Sequence, residues 1–137
     1  MKIGVHLVRF NLLKKYISGQ MRRNLNIAHT KDKVKTDKIS IDILEMQKYI
    51  KKMNRKIRRY QNLLSDLDTL EISYEQFFQN QSEHGRQIAN FLNVPVDQEM
   101  QCDLQKITSD DLSKVIENWD EVVASLSETE FQRFLVK

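Results

Sequence analysis

The sequence predicts an α/β fold that is mostly helical, with two short strands. Three observations carry this. Two segments, Lys2–Val8 (KIGVHLV) and Thr69–Tyr74 (TLEISY), alternate apolar and polar residues and are rich in β-branched side chains. A stretch with helical periodicity follows each of them. Only three Gly and one Pro interrupt the 137 residues, so the helical stretches run long. The order strand, helix, loop, helix, strand, helix, helices suggests a parallel arrangement. Two strands are few for an independent sheet.

In the first strand, Ile3, Val5 and Leu7 share one face, and Arg9 ends it. Asn11–Leu25 is a helix, with Leu13, Tyr16, Ile17 and Met21 on one side and Lys14, Lys15, Arg22 and Arg23 elsewhere. Residues 27–39 are polar and charged and read as a mobile loop. The next helix starts near Ser40, whose hydroxyl would cap it, and runs to about Asp66. Along it Ile43, Met46, Ile50, Met53, Ile57, Tyr60 and Leu64 are spaced by 3 and 4 in alternation. That seam reads either as an amphipathic helix lying on its own domain or as a coiled-coil dimer.

After the second strand, Gln76–Leu92 reads as one helix, ended by Asn93–Pro95. Asp97–Lys106 is loop. Two short helices follow, Asp110–Asn118 and Glu121–Leu126, and Thr129 caps a last turn through Phe131, Phe134 and Leu135.

The formal net charge of +3 conceals a polarity. Residues 1–60 hold 17 Lys and Arg against 4 Asp and Glu, a balance of +13; residues 61–137 hold 5 against 15, a balance of −10. Such a split fits an anionic ligand on the first half, attraction between the halves, or a solvated basic helix face. A single Cys102 excludes an internal disulfide and a cysteine-based zinc site, and no metal is expected. No apolar run reaches the roughly 20 residues that cross a bilayer, and no signal peptide is evident, so a soluble, cytoplasmic protein without a membrane partner is expected.

Arg9 is the first candidate for chemistry. It stands where a strand ends and a helix begins, and parallel sheets bind ligands at the carboxyl ends of their strands. A guanidinium offers a two-pronged donor suited to phosphate. Ser18 adds a hydroxyl further along the helix. The competing reading is an ordinary surface arginine.

These residues also carry a resemblance. VHLVRFNLLKKYISGQM (5–21) resembles the segment of bacterial-type sulfotransferases that binds the 3′-phosphate of 3′-phosphoadenosine-5′-phosphosulfate. LEISYEQF (70–77), GRQIANFLNVP (85–95) and residues 104–135 are similar, in order, to later segments of that family. The resemblance implies the C-terminal portion of a P-loop-like parallel-sheet fold, forming a single partial domain over 1–137. It implies that Arg9 and Ser18 hold the 3′-phosphate and that Tyr74 lies near the adenosine. Thr108 and Ser109 fall near another nucleotide-contacting stretch, and Lys106 takes no firm role. The family's Gly- and Ser/Thr-rich phosphosulfate loop would precede residue 1, and Gly4, Gly19 and Gly85 are too scattered to replace it. No catalytic base is assigned: His6 and His84 sit inside regular elements, and His29 lies in the charged loop.

The implied activity is transfer of a sulfuryl group from that nucleotide to a hydroxyl or amine of a small-molecule or carbohydrate acceptor. The isolated chain would be incomplete, truncated or split from an N-terminal half with which it associates. The alternative is a helical interaction protein that forms a homo-oligomer through the 43–64 seam. Nucleic-acid binding by the Lys51–Arg59 cations is the least favoured reading, since no recognised motif accompanies them.

Overall fold

In the computed structural model, residues 2–25, 38–96 and 111–135 are described. The chain is mixed α/β, mostly helical, with one pair of parallel strands among the described residues. It divides into two compact units. A sheet unit comprises Met1–Phe10 with Asn54–Cys102, and a helical unit comprises Asn11–Met53 with Asp103–Lys137.

The sheet unit is built on β1 (Ile3–Val8) and β2 (Asp68–Ser73), paired in parallel from Ile3↔Asp68 to Val8↔Ser73. One face of the pair carries Gly4, His6 and Val8 beside Thr69, Glu71 and Ser73. The end of α2 (Ile43–Leu64) reaches it: a Cβ placed on Gly4 would sit 3.9 Å from Leu64 Cδ2. His6 Nδ1 lies 3.1 Å from Glu71 Oε2, and Gln61 Nε2 donates to both Glu71 oxygens at 3.3 Å. On the other face Ile72 is buried, yet Ile3, Val5 and Leu7 remain exposed.

The strand expected to end at Tyr74 ends at Ser73, because the Ser73 side chain accepts from the Gln76 N–H (3.1 Å) and starts α3 (Tyr74–Gln79) there. The single helix expected over Gln76–Leu92 is two. Asn80, at φ −145° and ψ 81°, leaves the helical region, and its side chain caps α4 (Gln81–Leu92) by accepting from the Glu83 N–H. Helix α4 ends at Leu92, the end expected from Asn93–Pro95. Asn93 takes the left-handed conformation, φ 55°, and its N–H returns to the carbonyls of Ala89 and Asn90.

The helical unit packs α1 (Leu12–Leu25), the first half of α2 and α5 (Trp119–Leu126) around one core. Asn11 caps α1 through its side chain (Lys14 N–H, 3.0 Å) and also donates to the Phe134 carbonyl at 3.2 Å. Leu12, Leu13, Tyr16, Ile17 and Met21 form the buried stripe of α1. Met46 and Ile50 are the buried residues of α2, and Val122 and Leu126 those of α5. The cap of α2 is Asp42, whose Oδ1 accepts from the Glu45 N–H at 3.1 Å, not Ser40. Asp42 is the better acceptor, since its charge also favours a helix N-terminus.

The charged loop expected over 27–39 lies mostly outside the described residues. Its last residue is firmly placed: Ile39 is buried and bridges in parallel to Ile116, with Ile39 N–H to the Val115 carbonyl (2.9 Å) and Glu117 N–H to the Ile39 carbonyl (2.8 Å). Two residues on, the Asn118 amide clasps the backbone of Ile41, accepting its N–H at 2.8 Å and donating to its carbonyl at 2.9 Å. Much of the helix expected over Asp110–Asn118 is given up to these pairings. Only a 3-10 turn, Leu112–Lys114, remains helical, capped by Asp111. A second 3-10 turn, Gln132–Leu135, brings Phe134 into the core.

Tyr16 packs against Tyr49, ring centroids 5.2 Å apart. Its phenol is pushed above the usual value of 10.0 by burial, then by the carboxylates of Glu45 and Asp42, with Arg23 opposing. Between 10 and that higher value the unfolded chain releases the Tyr16 proton while the native chain retains it, so stability falls as pH rises through this window. A urea series from pH 9 upward is expected to show a steeper loss for the wild type than for Tyr16→Phe. Equal slopes would contradict the assignment.

Candidate functional site

The register of the sheet places the site. Val8 and Ser73 are partners at the carboxyl ends of two parallel strands, so Arg9 and Tyr74 leave the sheet side by side. Sequence reasoning named both residues, and the structure brings them together. The Arg9 guanidinium carbon lies 4.7 Å from the Tyr74 ring centroid, over its face. The ring in turn leans on Phe78 at 5.9 Å between centroids. Such cation–π stacking is worth about 0.5–1 kcal/mol at exposed sites and more when desolvated. Here it also fixes the plane in which the guanidinium presents its N–H groups.

Arg9 Nε is buried and has no hydrogen-bond partner within the protein. It is the single buried side-chain polar atom in that state among the described residues. A buried donor left unmade costs about 1–3 kcal/mol, more when it belongs to a charged group. An oxyanion in the guanidinium plane would relieve that cost once the groups covering Nε move aside to admit it, because Nε–H and one Nη–H form the parallel pair that phosphate and sulfate accept. Chemically the arrangement is a guanidinium stacked on an aromatic ring, a geometry that can serve to clamp an anion.

The loop after β1 is held in position by Glu75. Glu75 Oε2 accepts the Phe10 N–H at 3.3 Å, so the turn carrying Arg9 is tied to the first turn of α3. Glu75 lies in the YE pair of the second strand segment, but only the pairing of β1 with β2 shows what its carboxylate reaches.

Ser18 is placed on α1, in the helical unit, and is half-buried. Lys106, Thr108, Ser109 and His29 lie outside the described residues. His6 and His84 both have neighbours of structural kind: His6 meets Glu71 and faces the Tyr60 ring at 6.3 Å, while His84 Nδ1 lies 3.3 Å from Gln87 Oε1 and its ring 6.4 Å from Phe77. Among the described residues no group of three or more His, Cys, Asp or Glu is placed to hold a metal ion. No described helix is long and apolar enough to cross a membrane.

No protein-family model, no curated protein and no solved structure matches the chain.

Proposed function

We propose that this chain is the nucleotide-gripping portion of a sulfotransferase-like protein, with Arg9 receiving the 3′-phosphate of 3′-phosphoadenosine-5′-phosphosulfate. The observation that carries the reading is the buried, unpartnered Nε of Arg9, held over Tyr74 at the carboxyl end of β1. Four ordered sequence resemblances point to the same chemistry. Tyr74 then serves twice, as the surface that orients the guanidinium and as an apolar wall for the nucleoside.

The donor nucleotide supplies the sulfuryl group, which passes in line to an acceptor hydroxyl or amine. What this chain contributes is grip and orientation. Arg9 neutralises the 3′-phosphate and fixes its direction, and the Phe10–Glu75 hydrogen bond keeps the Arg9 turn from drifting. Stabilisation of the transferring group falls to residues outside those assigned here, so the chain alone is expected to bind the nucleotide weakly and to transfer little. The alternative reading, dimerisation through the 43–64 seam, has less surface to work with, since Met46 and Ile50 are already buried within the chain.

Calorimetric titration with adenosine 3′,5′-bisphosphate and with adenosine 5′-monophosphate tests the reading. A charge-assisted fork contributes about 1.5–3 kcal/mol, which is roughly tenfold to a hundredfold in affinity. The bisphosphate is therefore expected to bind at least tenfold more tightly. Equal affinities, or no binding of either, would remove the basis of the proposal.

A further inference from the structure

Helix α2 carries a feature that the nucleotide reading does not use. From Met46 to Ser65 the sequence contains no acidic residue. At 100° per residue, Lys48, Lys51, Lys52, Arg55 and Arg59 fall within an arc of roughly 100° on one side of this continuous helix. All five are exposed. Met46 and Ile50, the buried residues of α2, lie elsewhere on its circumference, so the basic arc is the outward face. Lys56 and Arg58 flank it, and Lys56 is drawn toward the Tyr60 ring at 5.9 Å.

Two large apolar side chains stand at the ends of this same face. Leu44 is 68% exposed and Leu63 is 63% exposed. Helical spacing places Leu44 about 30° and Leu63 about 70° from the arc's centre, about 28 Å apart along the axis. The nearest acid, Glu45, falls about 20° outside the arc, at its N-terminal end.

We propose that this outward face of α2 docks the chain peripherally on an anionic lipid surface. The charge complementarity is direct. Five unopposed cations along one straight edge meet a plane of negative headgroups, each adding roughly fivefold to the association. The two leucines decide between a lipid surface and a nucleic acid. A phosphodiester strand gives an exposed leucine nothing to bury against, whereas the headgroup–acyl boundary accepts it. No aromatic residue lies on the arc to stack with bases. A peripheral contact of this kind needs no membrane-spanning segment. It differs from an inserted amphipathic helix, because the apolar stripe of α2 stays in the protein core.

The test is co-sedimentation of the full chain with phosphatidylcholine vesicles, with and without about 30% phosphatidylserine. Binding is expected only to the anionic vesicles, falling at least tenfold when salt rises from about 0.05 to 0.3 M. The variant Lys51→Gln/Lys52→Gln/Arg55→Gln/Arg59→Gln is expected to lose at least thirtyfold, roughly the effect of two or more cations. Its circular dichroism should match the wild type, because all four side chains are exposed. Leu44→Ser/Leu63→Ser is expected to weaken vesicle binding several-fold and to leave retention on polyadenylate unchanged. Equal sedimentation with neutral and anionic vesicles would overturn the proposal. So would retention on polyadenylate without vesicle binding, or vesicle binding indifferent to the leucine pair.

Discussion

Replacing Arg9 by methionine is expected to erase the preference for a 3′-phosphorylated nucleotide while leaving the fold as stable as before, or more so. The two halves of this result have separate causes. Methionine keeps an unbranched apolar stem against the Tyr74 ring and removes the charge and both prongs of the fork. Affinity for adenosine 3′,5′-bisphosphate should fall to that for adenosine 5′-monophosphate, a loss of about tenfold to a hundredfold. Stability moves the other way. The cation–π contact removed is worth about 0.5–1 kcal/mol. The orphaned Nε–H removed with it costs about 1–3 kcal/mol in the free protein. The net is neutral to about 2 kcal/mol stabilising, readable as an unchanged or raised urea midpoint. Arg9→Lys keeps the charge but not the fork, so it should fall between the two in affinity. A residue held for structure behaves in the opposite way: its loss destabilises and leaves nucleotide affinity alone. Thermal melts and titrations of the same three proteins separate the cases.

The strands and the site they carry were legible in part. Alternation of Ile3, Val5 and Leu7 marks β1, and the run Leu70–Ile72 marks β2, because period-two patterns survive in strands of six residues. Arg9 stands out as the residue that breaks the first pattern. That Arg9 meets Tyr74 is not written in any local spacing, since 65 positions separate them. It follows from the parallel register, Val8 opposite Ser73, which only the tertiary pairing fixes. Burial of Arg9 Nε is likewise a property of the packed neighbourhood and has no sequence signature.

Helix boundaries were misread where a polar side chain made a choice between two backbones. Ser40 reads as the cap of α2, and the helix instead takes Asp42, which carries charge. Asn80 interrupts what reads as a continuous helix by leaving helical φ and ψ and capping the next segment. Asn118 looks like a helix terminator. Instead it starts α5, its carbonyl accepting from the Glu121 and Val122 N–H groups, while its side-chain amide meets the Ile41 backbone, 77 residues earlier, as both donor and acceptor. Residues 111–118 lean toward helix by local preference. Pairing with Ile39 and Ile41 outweighs it, as it supplies partners for backbone groups that are otherwise buried unmade.

The 43–64 seam is where the two functional readings part, and Ile50→Asp tests them against each other. Ile50 is fully buried within the helical unit, as is Met46 one turn before it. Removing such a side chain leaves a cavity that costs about 2–5 kcal/mol. Placing a carboxylate there adds several kcal/mol more, since no basic partner is buried with it. Domains of this size are stable by about 5–15 kcal/mol, so most or all of that stability is lost. The expected outcome is a chain without cooperative thermal unfolding, even at the lowest concentrations studied. A coiled-coil seam predicts something else: a folded monomer that has merely lost its partner, with helical circular dichroism and a sharp melt at lower mass. Lys51→Asp is the control. It introduces the same acidic group one residue further along, on the exposed face, and is expected to stay within about 0.5 kcal/mol of the wild type. A large penalty at 50 beside none at 51 assigns the heptad spacing to the core of this chain, and leaves the outward basic face as the surface of α2 open to another molecule.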